Sequence, residues 1–256
     1  MTSVTFLLLV LAGVAAGLAG SIGGLASLFS YPALLAAGLT ATGANVTNTV
    51  ALAVSSLSSI TSSRPELVGQ RARIRTLGAV SLVGGAIGAA LVLVTPNRVF
   101  AQLVPFLVGG ASVALLVRAE RPAPEGGEQH QPRNPALLLV GTLGVAVYGG
   151  YFGAAAGVLM VALLLSTLPE TLVRVNALKN VLLGLANVVA AVGFALLGPI
   201  SWSTALPLTL GLLGGNWVGP WVARRLPSRA LRLGIAVAGI GLAVTLGWNT
   251  FAGQGG

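Results

Sequence analysis

The side chains with chemistry to offer gather in two places. The run Arg174-Val175-Asn176-Ala177-Leu178-Lys179-Asn180 opens a long apolar segment. On a helix, Asn176, Lys179 and Asn180 share one face, and Asn187 lies further along it, making a polar stripe on an otherwise apolar helix. The second group is Asn45, Thr47, Asn48 and Thr49, continued by Ser55, Ser56, Ser58 and Ser59. Amides and hydroxyls replace part of the hydration shell of a bound solute, and an ammonium balances negative charge. A cation facing inward within a membrane is costly, so it reads as functional by default. The alternative is that Lys179 snorkels to the interface from its helix end. Arg174 reads either as an interface anchor or as a substrate contact. Glu170 reads as a helix cap or as the i,i+4 partner of Arg174.

What is missing narrows the chemistry. The chain has no cysteine and one histidine, His130, in a polar linker. Its five acidic residues are all glutamate. Thiol redox chemistry and thiolate metal sites are therefore absent, and a metal centre lacks its clustered ligands. No nucleophile–base pair is available for a membrane-embedded enzyme. No cofactor is expected. Amides, hydroxyls and one or two cations, with no carboxylate in the apolar segments, favour a small anion over a metal cation as ligand.

A glycine-rich motif occurs twice. The first copy runs Gly20-Ser21-Ile22-Gly23-Gly24-Leu25-Ala26-Ser27, followed by Asn45. The second runs Gly150-Tyr151-Phe152-Gly153-Ala154-Ala155-Ala156-Gly157, followed by Asn176. Gly20, Gly23 and Ser27 align with Gly150, Gly153 and Gly157 at one offset, and Asn45 with Asn176 at that offset plus one. Paired, glycine-interrupted apolar segments in two halves of a membrane protein point to a substrate site between them. Helix N-termini at such breaks present N–H groups and a positive dipole end, which suit an anion. The expected contacts are therefore Asn45, Thr47, Asn48, Asn176, Lys179 and Asn180, with backbone at Gly23, Gly24, Gly153 and Gly157. Glycines at 13/17, 84/85/88, 109/110 and 214/215 read instead as close helix packing.

These residues require membrane-spanning elements to position them. Apolar residues make up 55% of the chain, charged residues 7%, and the mean hydropathy is +0.93. Ten apolar segments are readable: 4–21, 24–39, 44–62, 76–95 and 99–117 in residues 1–117, then 135–151, 153–168, 176–198, 203–222 and 230–249 in residues 135–256. A polar linker, 118–134, separates the two halves and falls on the cytoplasmic side. Segments 24–39 and 153–168 are short and predict broken or re-entrant helices, tolerated only where they face protein or a water-filled cavity. The unbroken apolar continuation after residue 20 predicts a retained first segment rather than a cleaved leader.

The net charge of +9 belongs to topology rather than to nucleic acid. Arginines concentrate at 64–75, 118–133 and 224–232, which the positive-inside rule places on the cytoplasmic face. Equivalent loops of the two halves differ in basic content in opposite senses, which predicts inverted repeats. The fold class is thus an all-α polytopic membrane protein with two inverted repeats of about five apolar segments each, 8–10 helical segments in all.

At the two glycine blocks, at Tyr31-Pro32-Ala33-Leu34-Leu35 and at Val175-Asn176-Ala177-Leu178-Lys179-Asn180, the chain resembles the sulfite exporter TauE/SafE family, also called TSUP and formerly DUF81. The first block departs from the family pattern, with Leu25-Ala26-Ser27 where the family often has more glycine. The resemblance implies a multi-pass permease of the bacterial inner (plasma) membrane, exporting small sulfur-containing or organic anions such as sulfite or sulfoacetate. The partners implied are the anionic substrate and the lipid bilayer, with a homodimer left open. Competing readings are an anion channel or uptake permease for another small anion, and a substrate-free structural membrane subunit.

Overall fold

The computed structural model describes residues 2–117, 134–154 and 156–223, with isolated positions between 237 and 248. Among these, every regular element is helical. The first half holds α1 (Ser3–Gly23), α2 (Ser27–Ala36), α3 (Ala41–Ser62), α4 (Arg71–Val94) and α5 (Asn97–Val117), with a 3-10 turn at Pro65–Leu67. The second holds α6 (Pro135–Tyr151), α7 (Ala156–Thr167), α8 (Leu172–Leu197) and α9 (Trp202–Ala223). The linker up to residue 133, the basic loop 224–232 and most of the predicted tenth segment lie outside the described residues.

Local signals set these boundaries. Thr2, Thr40, Asn134 and Thr171 each cap a helix start, their side-chain oxygens accepting from a main-chain N–H three residues on, as small polar residues do at that position. α1 ends on Gly24 at φ 72, and the break after α6 turns on Gly153 at φ 76. Both are left-handed conformations that a Cβ disfavours. α1, α4 and α8 are long and apolar enough to cross a membrane. α2, with 10 residues, and α7, with 12, are not. At ~1.5 Å per residue they reach about 15 and 18 Å of the ~30 Å hydrocarbon core.

The packing has a swapped pattern. α1 lies along α9, and α4 along α6. Gly13 meets Gly211 and Gly17 meets Gly215, so α1 and α9 run parallel. Gly84 faces Ala146 and Gly88 faces Gly150 and Tyr151, so α4 and α6 also run parallel. α3 and α8 cross between these pairs and run antiparallel. Thr47, near the start of α3, accepts from the Ser201 N–H beyond the end of α8 at 3.1 Å. Ser63, past the end of α3, accepts from Asn180 near the start of α8 at 3.4 Å.

Small residues let these backbones approach closely. A Cβ added to Gly85 would sit 2.5 Å from the Ala186 carbonyl, and one on Gly150 2.5 Å from the Gly85 carbonyl. Among the described residues, nothing lies within 4 Å of a Cβ added to Gly110 or Gly214, two glycines expected to pack. Composition alone does not reveal which side of a uniformly apolar helix meets a neighbour.

Candidate functional site

The two helix breaks meet in the middle of the bundle. A Cβ on Gly157, in the first turn of α7, would lie 2.5 Å from the Gly24 Cα, so the two chains touch there backbone to backbone. The reciprocal approach is looser: a Cβ on Gly153 would lie 3.9 Å from the Ser27 hydroxyl, in the first turn of α2.

A cavity of about 100 Å³ opens beside this contact. One water needs about 10–15 Å³ on the same measure, so several waters, or one compact ion, fit. The α1–α2 break contributes Gly20, Gly24, Ala26 and Ser27, and the α6–α7 break contributes Gly149, Phe152, Gly153, Ala156 and Gly157. The opening residues of α2 and α7 therefore both face the space. α3 adds Thr49, Leu52, Ser55, Ser56 and Ser59, a stripe at helical spacing. α8 adds Lys179, Asn180, Leu183, Gly184 and Asn187, and α9 adds Asn216.

Lys179, the one lysine of the chain, is 3% exposed. Snorkelling requires an ammonium that reaches the surface, and this one does not. Among the described lining residues it is the one charged side chain, and no carboxylate accompanies it. Two helix N-termini and an ammonium thus border a space whose otherwise apolar wall carries amides and hydroxyls. That combination attracts an anion.

The predicted site residues divide. Lys179, Asn180, Gly24, Gly153 and Gly157 line the cavity. Gly23 is the last residue of α1. Asn48 stands one layer behind the wall. Its Nδ2 donates to the Ser27 hydroxyl at 3.2 Å, and its Oδ1 accepts from Ser30 at 2.5 Å, fixing the start of α2. Asn45 donates to the Tyr151 carbonyl at 2.8 Å, tying α3 to the end of α6. Thr47 is engaged with Ser201. Asn176 is half-buried on α8 and is not among the residues that line the cavity.

Asn216 is a lining residue that sequence reasoning missed. It is buried, and its Nδ2 donates to the Ser55 carbonyl at 3.3 Å. The available signal was a single amide directly after Gly214-Gly215 in an apolar run.

On the side of the cavity where α3 ends and α8 begins, charged groups join the two halves. Glu170 binds Arg73 of α4 at 2.5 Å and Arg174 of α8 at 2.7 Å. Arg174 also donates to the Val68 carbonyl at 3.2 Å. Burial pushes the Glu170 carboxyl up, but hydrogen bonds and charge from Arg73 and Arg174 outweigh it and hold the group below its usual value.

On the opposite side, where α3 begins, aromatic rings pack together. Tyr31 meets Phe152 edge-on with centroids 5.2 Å apart, and Phe100 meets Tyr151 at 5.4 Å and Phe152 at 6.0 Å.

Long apolar helices, two broken segments and a cavity between them with amide, hydroxyl and ammonium groups in its wall are the arrangement of a multi-pass membrane protein. The chain belongs to the sulfite exporter TauE/SafE family, whose model matches residues 7–246. Among curated proteins it is similar to the probable membrane transporter protein YfcA of Escherichia coli strain K12, with 29% identity over 212 residues, covering 80% of this chain and 75% of that protein. The proteins of the same name from the O6:H1 and O157:H7 strains match to the same extent. No solved structure matches the chain.

Proposed function

We propose that the chain is a secondary transporter exporting small anions across the bacterial inner membrane, with sulfite and compact organic sulfonates such as sulfoacetate as the substrate class. The observation that carries this reading is the convergence on one cavity of the α2 and α7 N-termini and Lys179, with no carboxylate among the described lining residues. Lys179 compensates the anion's charge. Asn180, Asn187, Thr49 and the α3 serines replace part of its hydration. The direction rests on the family's description as exporters.

The two halves act as inverted repeats. Support comes from the antiparallel pairing of α3 with α8, which occupy equivalent places in the two halves, and from the swapped α1–α9 and α4–α6 packing. α2 and α7 then enter and leave from opposite faces, and rocking of one repeat against the other gives alternating access. The arginine-rich face at Arg64–Arg75 is cytoplasmic.

The test is anion flux in proteoliposomes holding the full chain. Lys179→Gln should reduce saturable sulfite flux by about a hundredfold, as loss of a desolvated charge partner does. Undiminished flux in Lys179→Gln would sink the role given to this lysine. Flux that rises linearly with concentration would identify a channel.

A further inference from the structure

The two halves line the cavity unequally. At the spacing that aligns Asn45 with Asn176, Thr49 matches Asn180, Leu52 matches Leu183 and Ser56 matches Asn187. All of these line the space, from α3 and from α8. Two further lining residues, Ser55 and Gly184, fall within the matched stretches, and their counterparts Ala186 and Ala53 are not in the wall. What remains extends the wall lengthwise. On α3 it runs on to Ser59, whose match Ala190 takes no part. On α8 it begins at Lys179, whose match Asn48 takes no part.

Both extensions point to the same end of the bundle. α3 and α8 are antiparallel, so the end of α3 lies beside the start of α8, where Asn180 donates to Ser63 at 3.4 Å. The Glu170 ion pairs with Arg73 and Arg174 lie at this end too. At the other end the matching positions are packed. Ala190 is 0% exposed and belongs to the apolar cluster that holds Tyr31, Phe100, Phe152 and Phe194. Ser59, its counterpart, is half-buried. Asn48 is engaged with Ser27 and Ser30.

Resting on the transport and inverted-repeat reading above, we infer that this structure is the state turned toward the arginine-rich, cytoplasmic side, and that transport exchanges the matched positions. Two halves of like construction have two equivalent arrangements, each half in the second taking the packing that the other has now. In that second state Ala190 leaves the apolar cluster and lines the cavity, and Asn48 joins the wall. Ser59 and Lys179 then stand where Ala190 and Asn48 stand in this structure. Ser59 and Ala190 are thus a pair of positions on the route, each reached from one face of the membrane.

The absence of cysteine lets each position report alone. Ser59→Cys and Ala190→Cys are made singly in the full-length protein. A membrane-impermeant methanethiosulfonate is applied to right-side-out and to inside-out vesicles, and sulfite flux is measured in the same preparations. Each position is reachable in one state only, so Ser59→Cys should react at least about tenfold faster from the cytoplasmic face than from the periplasmic face, and Ala190→Cys should show the reverse preference.

Ala190→Cys that stays unmodified from both faces, in vesicles where that variant moves sulfite, overturns the inference and leaves transport standing. Ser59→Cys that reacts equally from both faces, or faster from the periplasmic one, does the same. Absence of sulfite flux through the unmutated protein overturns the transport reading and this inference with it. Should Ala190→Cys fail to fold, the two-sided comparison on Ser59→Cys decides the matter by itself.

Discussion

Gly24 and Gly157 touch through their backbones. They come from the two halves of the chain, and neither leaves room for a methyl group on the other. This contact is the point where the two helix breaks are held together, and the cavity opens beside it. The two residues differ in one respect: Gly24 sits at φ 72, whereas Gly157 lies in a helix.

That difference ranks two substitutions. Gly157→Ala adds only overpacking and should destabilise by about 1–3 kcal/mol. Gly24→Ala adds the same overpacking plus a left-handed alanine, about 1–2 kcal/mol more. Gly110→Ala, with no described atom within 4 Å of its Cβ, should leave stability within about 0.5 kcal/mol, as substitutions away from tight features do. Thermal unfolding in detergent reads all three. Gly24→Ala at or above the midpoint of Gly157→Ala would contradict the ranking.

Asn48 should behave as a positioning residue. Asn48→Ala leaves the buried Ser27 and Ser30 hydroxyls without it, at a cost of about 1–3 kcal/mol. Because Ser27 lines the cavity and Asn48 does not, the variant should weaken apparent substrate affinity more than it lowers maximal flux. A pure fall in maximal flux with affinity unchanged would place Asn48 outside this role.

The Glu170 cluster predicts a pH response with a definite sign. The folded carboxyl is held below its usual value, so the unfolded state binds more protons in that range. The stabilisation is fully present above the ordinary glutamate value of about 4.3. It is lost as pH falls through the depressed folded value. Glu170→Gln should remove roughly 1 kcal/mol at neutral pH and flatten the acid limb of the stability curve. An unchanged acid limb in Glu170→Gln would show that the cluster contributes nothing.

The absence of cysteine makes cross-linking a direct test of the antiparallel α3–α8 pairing. Ser63→Cys with Asn180→Cys, and Thr47→Cys with Ser201→Cys, should each form a disulfide on mild oxidation. A mixed pair, Ser63→Cys with Ser201→Cys, should not. On the rocking reading, the Ser63–Asn180 link should abolish flux reversibly, with reductant restoring it. Flux that continues through the cross-linked protein would mean these helix ends do not separate during transport.

Much of this arrangement was legible in the residues, for identifiable reasons. Gly24 and Gly153 marked the breaks because a left-handed turn demands glycine, and the short runs after them could not form full spans. Lys179 and Asn180 stood out because any polar group on an apolar helix is conspicuous. What the sequence could not resolve was rotation. On α3, Asn45, Thr47 and Asn48 are as polar as Thr49, Ser55, Ser56 and Ser59, yet only the latter face the cavity. The first three hold α2, the end of α6 and the loop before α9 in place. Polarity identifies a residue that needs partners, and it does not say whether those partners are protein or solute. Asn216 escaped notice for the related reason that its neighbours Gly214 and Gly215 read as packing alone.

Asn48 and Lys179 occupy matching positions after the two aligned asparagines, Asn45 and Asn176, but only one of them is charged. A transporter assembled from two identical subunits would place the same residue at both positions, giving either two ammonium groups in one small cavity or none. On the inverted-repeat reading proposed above, a single polypeptide lets the matching positions differ, so that Asn48 holds the start of α2 while Lys179 faces the cavity.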